Sequence, residues 1–215
     1  MKEYKGINLN KIDKMAGLSF ENALRLHFDS IILFQNESFP SAYFLSSLAL
    51  EEIGKSFILI DFLFDSLYNE RLGEKYEKHY IKSIYSHHDK QYSFARNFRS
   101  LFEPTIFFKD LLEGKQEILK QNSIYVGLER KGKTINLKGK VISPLKISKQ
   151  KATKQITEVH NVAVEITHMK ITDIGDIDSE EVAKLLTKAL FRKLTRAWPF
   201  LSFRLKNRIE KFVII

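Results

Sequence analysis

The stretch from Phe39 to Tyr68, FPSAYFLSSLALEEIGKSFILIDFLFDSLY, constrains the fold more than any other part of the chain. Its length and apolar density are those of a helix buried on most sides. Between Phe39 and Ile60 the only charges are Glu51, Glu52 and Lys55. Burying a charge is costly unless it is paired or hydrogen-bonded. Helical spacing makes pairing available, because Glu51 and Lys55 are i,i+4 and Glu52 and Lys55 are i,i+3. Gly54 sits among them, at about 1 kcal/mol relative to alanine in a helix interior. A glycine suits such a place when another backbone or a ligand must come close. The cluster is therefore either a core ion pair or the floor of a site.

Around this helix the rest of the chain reads as a mainly α, antiparallel helical bundle in a single domain over residues 18–215. Residues 1–17 read as a polar lead-in. Apolar spacing at Phe20, Ala23, Leu24, His27 and Ile31 predicts a helix capped by Ser19 and running to Gln35. His27 lies on or beside its apolar face. Pro40 fits the first turn of the long helix, where a missing N–H costs little. Beyond Gly73 the pattern predicts one helix over 74–101, closed by Glu103-Pro104. A shorter helix is expected over 105–120. The period then changes to alternation around Arg130-Lys131-Gly132-Lys133, which predicts a β-hairpin excursion over about 122–142. Helix returns over 149–170. Ser179-Glu180-Glu181 starts a long C-terminal helix over 179–213, kinked near Pro199.

Composition narrows the setting. With 17 Phe, 8 Tyr and 44% hydrophobic residues the chain has ample material for a core. Asp61 and Asp65 cut the longest apolar run below the roughly 18–20 residues of a membrane span. The charged N-terminus lacks the apolar segment of a secretory signal. No cysteine is present, which excludes disulfides and a thiol nucleophile. A cytoplasmic protein with no membrane partner is the simplest expectation. The net charge of +9 is concentrated in residues 130–157, which hold nine Lys and Arg and no Asp or Glu. Arg130, Lys131, Lys133, Lys138, Lys140 and Lys149 are the candidate nucleic-acid contacts in this block. The alternative is a solvated lysine-rich excursion.

Phosphate-binding glycine loops, a GxSxG elbow and an HExxH pair are absent. His87-His88-Asp89 resembles a metal motif, yet adjacent helical residues point about 100° apart, so no metal and no cofactor are expected. More telling is the pairing of Glu51-Glu52-x-x-Lys55 with His87-x-x-Lys90. If the two helices pack antiparallel across their short connection, both sets fall at a similar height. A carboxylate beside a histidine makes a proton-transfer group, and Lys55 and Lys90 would stabilise phosphate charge. This collection suits metal-independent RNA cleavage, in which the 2′-hydroxyl is the nucleophile. The candidate catalytic residues are Glu52, Lys55, His87 and Lys90, then Glu51 and His88. The competing reading is a structural ion-pair network in a non-enzymatic protein that binds RNA, the translation machinery or an acidic protein through residues 130–154.

The run Leu48-Ala49-Leu50-Glu51-Glu52-Ile53-Gly54-Lys55, with His87-x-x-Lys90 and Ile124-Tyr125-Val126-Gly127, resembles the AbiV family of abortive-infection proteins in the HEPN superfamily. The resemblance covers about residues 18–170. It implies a HEPN-like bundle, anti-phage defence in the bacterial cytoplasm, a phage product as trigger, RNA or translation as target, and a homodimer. Many HEPN proteins are ribonucleases marked by Arg, four to six residues, then His. This chain lacks that signature: seven residues separate Arg71 from His79, and one separates Arg25 from His27.

Overall fold

The computed structural model describes residues 6–68, 73–98, 106–131, 134–201 and 205–206. Two long helices form its axis. Helix α1 (Leu9–Gln35) is capped by Asn8, whose side chain accepts from the Asn10 N–H at 2.9 Å. The helix begins ten residues before the expected cap at Ser19. Ser19 is buried in mid-helix rather than capping it, because Ile12 and Ala16 continue the inward face of Phe20 by whole turns. Residues 9–17 thus belong to the bundle. Helix α2 (Phe39–Tyr68) packs along α1, burying Leu50, Ile53, Leu59, Phe62 and Leu63 in the main core.

The expected helix over 74–101 is two helices. Helix α3 (Glu74–Ser83) ends in a turn, and Ser86 caps α4 (His87–Asn97) by accepting from the Asp89 N–H at 3.2 Å. The serine offers the backbone a cap that competes with helix continuation. Residues 99–105, including Glu103-Pro104, lie outside the described residues. The short helix over 105–120 is likewise divided into α5 (Ile106–Leu112) and α6 (Lys115–Asn122). Gly114 makes the break, in the left-handed region at φ 71°, which costs glycine little.

The excursion is a nested hairpin of two-residue strands. Strand β1 (Gly127–Leu128) pairs antiparallel with β4 (Val141–Ile142), and β2 (Arg130–Lys131) with β3 (Thr134–Ile135). Residues 123–126, expected in the first strand, instead finish α6 and link it to β1. Helix α7 (Lys149–Ile171), capped by Ser148, returns through the core beside α1 and α2 and buries Ile156, Val159, Val162 and Ile166. The C-terminal segment is broken earlier than predicted. Helix α8 (Glu180–Leu185) stops at Leu186, and Thr187 caps α9 (Lys188–Ala197), accepting from the Leu190 N–H at 3.1 Å. Helix α9 ends just before Trp198, and residues 207–213 lie outside the described residues. No helix among the described residues is long and apolar enough to cross a membrane.

Candidate functional site

One close approach of two backbones sets the site. An alanine Cβ placed at Gly54 would lie 1.9 Å from the Lys90 carbonyl oxygen, so α4 crosses α2 with room only for hydrogen at that position. The glycine that weakens α2 as a helix is what lets α4 seat here. With α4 so close, the side chains that bracket the crossing meet: Glu51 one turn before Gly54, and His87, Lys90 and Gln91 from the start of α4.

Glu51 is the hub. Its side chain is 2% exposed, yet both oxygens are satisfied. Lys120 Nζ donates to Oε1 at 2.6 Å and Gln91 Nε2 donates to the same oxygen at 3.1 Å. Oε2 lies 2.7 Å from His87 Nδ1 and 3.4 Å from Lys90 Nζ. Burial pushes the Glu51 carboxyl up. The hydrogen bond and charge of Lys120, the hydrogen bond from His87 and the charge of Lys90 outweigh it and hold the group below the ordinary carboxylate range. Lys120 is itself held by Glu117 at 2.6 Å. Two carboxylates and two ammoniums therefore balance, with the His87 imidazole at the edge. Helix α6 is fixed over α2 by Tyr43, whose hydroxyl donates to Gln116 Oε1 at 2.7 Å, and this places Lys120 above Glu51.

His87 differs from the rest of the cluster in exposure, with 56% of its side chain accessible. A carboxylate at 2.7 Å fixes the tautomer with the proton on Nδ1, which donates to Glu51. That leaves Nε2, across the ring, as the nitrogen that exchanges protons. A buried carboxylate orienting an exposed imidazole is the arrangement a general acid or base requires.

The other expected site residues fall elsewhere. Glu52 and Lys55 pair with each other at 3.7 Å on the partly exposed flank of α2, and no contact among the described residues ties either to Glu51. Glu51 is the carboxylate that meets His87. His88 points outward, its Nδ1 3.5 Å from Asp89, and does not join the cluster. Lys90 reaches the cluster but is buried against Glu51, which leaves its ammonium little freedom to grip a phosphate. Lys120, Glu117 and Gln91 were not foreseen. Only the i,i+3 pair Glu117–Lys120 was visible in the sequence, and nothing local placed it over α2. Glu51, His87 and Glu117 each offer a donor atom within 4.8 Å of the others, a set that could hold a divalent cation. The Lys120 ammonium already stands 2.6 Å from both carboxylates, so a metal there must displace it.

Of the basic block, Lys138, Lys140 and Lys149 are exposed, and none forms an ion pair among the described residues. Lys133 lies outside the described residues, as do the side chains of Arg130 and Lys131, whose backbones form β2. His27 is a core residue, its Nε2 3.0 Å from His160 Nδ1 in a buried pair. Burial, followed by the neighbouring imidazole, pushes His27 well below the usual histidine range, and burial brings His160 to about 4.

No curated protein and no solved structure matches the chain. A family model does: that of AbiV, in the HEPN group, matches residues 11–165 and so takes in all but the first two residues of α1, with α2, α4, the whole Glu51 cluster and most of α7. With this match across most of its length and a mainly α bundle beneath it, the chain belongs to the AbiV family of HEPN-type abortive-infection proteins.

Proposed function

We propose that this protein acts in phage defence as a metal-independent endoribonuclease, with His87 as the proton-transfer group and Glu51 as the residue that orients it. The observation carrying this reading is the buried Glu51 carboxylate hydrogen-bonded to an exposed histidine. In the reaction, His87 Nε2 takes the proton of an RNA 2′-hydroxyl, and the 2′-oxygen attacks the adjacent phosphorus. The bond to the 5′-oxygen breaks, and that oxygen leaves with a proton from solvent. The products are a 2′,3′-cyclic phosphate and a 5′-hydroxyl. Lys90 and Lys120 hold Glu51 ionised, and so keep the Nδ1 proton in place through the reaction. The exposed lysines of the hairpin and the start of α7 hold the strand electrostatically. A phage product as trigger, a cytoplasmic setting and a homodimer complete the proposal.

The test is end-mapping of total RNA incubated with purified protein, with and without phage-infected lysate, in the presence of EDTA. New ends carrying 2′,3′-cyclic phosphate in wild type, absent from a folded Glu51→Gln protein, support the reading. Ends of another chemistry, or ends that survive Glu51→Gln, remove it.

A second reading rests on the same basic segment. Its unpaired exposed lysines alternate with exposed Leu137, Val141 and Leu145, a surface suited to binding without chemistry. In that case translation is blocked with no new RNA ends, and charge reversal at Lys138, Lys140 and Lys149 abolishes the block.

A further inference from the structure

Helix α6 carries Lys120 to Glu51, and its last residues open onto a pocket that the Glu51 cluster does not use. Gln121 and Asn122 of the helix, Tyr125 of the link to the hairpin, Leu128 of β1 and Ile135 of β3 line a space of about 160 Å3. Gln121 Nε2 donates to Glu117 Oε1 at 2.9 Å, and Glu117 holds Lys120 at 2.6 Å, so one short helix serves both the pocket and the cluster.

The walls of the pocket offer three kinds of contact. Tyr125 is 65% exposed, and its ring stacks on no aromatic among the described residues. Leu128 and Ile135 are exposed beside it. The Asn122 side-chain amide, partly buried, holds no hydrogen bond among the described residues. A ring face, aliphatic edges and a free amide complement a planar heterocycle, which stacks by its face and hydrogen-bonds by its edge. The pocket is smaller than the roughly 300–1,000 Å3 that encloses a drug-sized ligand, and so suits one ring system rather than a whole nucleotide.

Charge decides what carries the heterocycle. Strand β4 runs beside β1 with Val141 opposite Leu128, and the Glu129 N–H donates to the Lys140 carbonyl at 2.9 Å. Lys140 therefore adjoins the strand that lines the pocket, and Lys138 is two residues before it. Both are exposed, in a segment from 130 to 157 that holds no Asp or Glu. Glu129 does not line the pocket, and its Cβ faces Gly139. A second copy seated here by two-fold symmetry would set one acid-free basic segment against another, which like charges oppose. A bilayer would strand the Asn122 amide. A single-stranded nucleic acid suits both features, with phosphates for the lysines and an unstacked base for the pocket.

We propose that this pocket takes one unpaired base of an RNA strand, stacked on Tyr125 and hydrogen-bonded by Asn122, while Lys138 and Lys140 hold the flanking phosphates. The inference rests on the reading of this chain as a protein that acts on RNA, and adds that the strand is single and gripped by a base as well as by charge.

The test is fluorescence anisotropy of labelled 2′-O-methyl oligonucleotides, uridine, cytidine or adenosine homopolymers, with the full-length protein. These cannot be cleaved through the 2′-oxygen, so binding is read apart from any activity of His87. Tyr125→Ala should bind the best of them at least about fivefold more weakly than wild type, whereas Tyr125→Phe, which keeps the ring, should bind as wild type does. Inorganic polyphosphate, which has charge and no base, should bind Tyr125→Ala and wild type alike. Lys138→Glu/Lys140→Glu should weaken both ligands. Oligonucleotide affinity unchanged in Tyr125→Ala overturns the pocket and leaves the ribonuclease reading standing. Tyr125-dependent binding by a protein that makes no RNA ends supports the pocket and removes the ribonuclease reading. Equal weakening of oligonucleotide and polyphosphate in Tyr125→Ala overturns the proposal. So does binding of phosphatidylglycerol vesicles with none of the oligonucleotides bound.

Discussion

Gly54→Ala is the perturbation for which local and tertiary reasoning give opposite signs. In an isolated helix the change stabilises by about 1 kcal/mol, because alanine loses less backbone freedom on folding. Here the new methyl would lie 1.9 Å from the Lys90 carbonyl oxygen, 2.8 Å from its carbonyl carbon and 3.3 Å from its Cα. A methyl carbon and a carbonyl oxygen need about 3.0–3.4 Å, so α4 must retreat by about 1–1.5 Å at the crossing. Overpacking of this kind typically costs about 1–3 kcal/mol. The neighbour is backbone and cannot rotate aside, which puts the variant at the upper end. After the propensity gain is subtracted, we expect a net loss of about 1–2 kcal/mol. The same retreat carries His87 away from Glu51, and a 2.7 Å hydrogen bond stretched by about 1 Å is no longer a hydrogen bond. Urea unfolding of wild type and variant, followed by far-UV circular dichroism, gives the stability change. RNA end-mapping under wild-type conditions gives the activity. The account requires a less stable protein with reduced cleavage. A variant as stable as wild type, or more stable by the helix-propensity increment, would refute the close α2–α4 crossing and the site built on it.

Other outcomes follow from the buried charges. Glu51→Gln removes the shared partner of Lys90 and Lys120 and should cost about 3–5 kcal/mol in urea unfolding. Glu52→Gln loses only its pairing with Lys55 on a partly exposed flank and should cost less than about 1 kcal/mol. His160 is lowered to about 4 in the folded protein, so below pH 6.5 the unfolded chain binds the extra proton and stability falls with falling pH. His160→Gln should remove up to roughly 3 kcal/mol of that loss between pH 6.5 and 4, measured as the difference between the two proteins' unfolding free energies at each pH. Glu158 has the opposite sign. Burial raises it to about 7 against the pull of Lys154, so its contribution is lost as pH rises through 7. Glu158→Gln should therefore be more stable than wild type at pH 8, by up to roughly 3 kcal/mol, and unchanged at pH 4.

The bundle was legible in the sequence where periodicity was long and unopposed. The helix at 39–68, the return helix from Lys149 and the hairpin between them all carried strong patterns. What the sequence hid was decided by caps. Asn8 outbid Ser19 for the start of α1 because apolar residues at 12 and 16 extend its inward face. Ser86 and Thr187 interrupt stretches whose apolar spacing runs through them, since a side-chain oxygen competes for the backbone only when tertiary packing favours the bend. The site was half legible. An antiparallel hairpin of helices puts His87 level with Glu51 and Glu52, and counting residues brings the right turns together. It cannot choose between adjacent glutamates about 100° apart. Burial of Glu51 and the partial exposure of Glu52 follow from which face of α2 meets α4, and Gly54 marks that face. Lys120 reaches the cluster through a long-range contact 69 residues away in sequence, for which no local signal exists.

The most direct measurement compares two histidines adjacent in sequence. His87 and His88 are both exposed at the start of α4, but only His87 is held by Glu51. RNA end-mapping with folded His87→Ala and His88→Ala proteins, assayed beside wild type under triggering conditions, separates position from composition. The account predicts that His87→Ala abolishes the new 2′,3′-cyclic phosphate ends while His88→Ala leaves them at wild-type levels. Ends that persist in His87→Ala, or that disappear only in His88→Ala, would contradict the assignment of the Glu51–His87 pair as the catalytic centre.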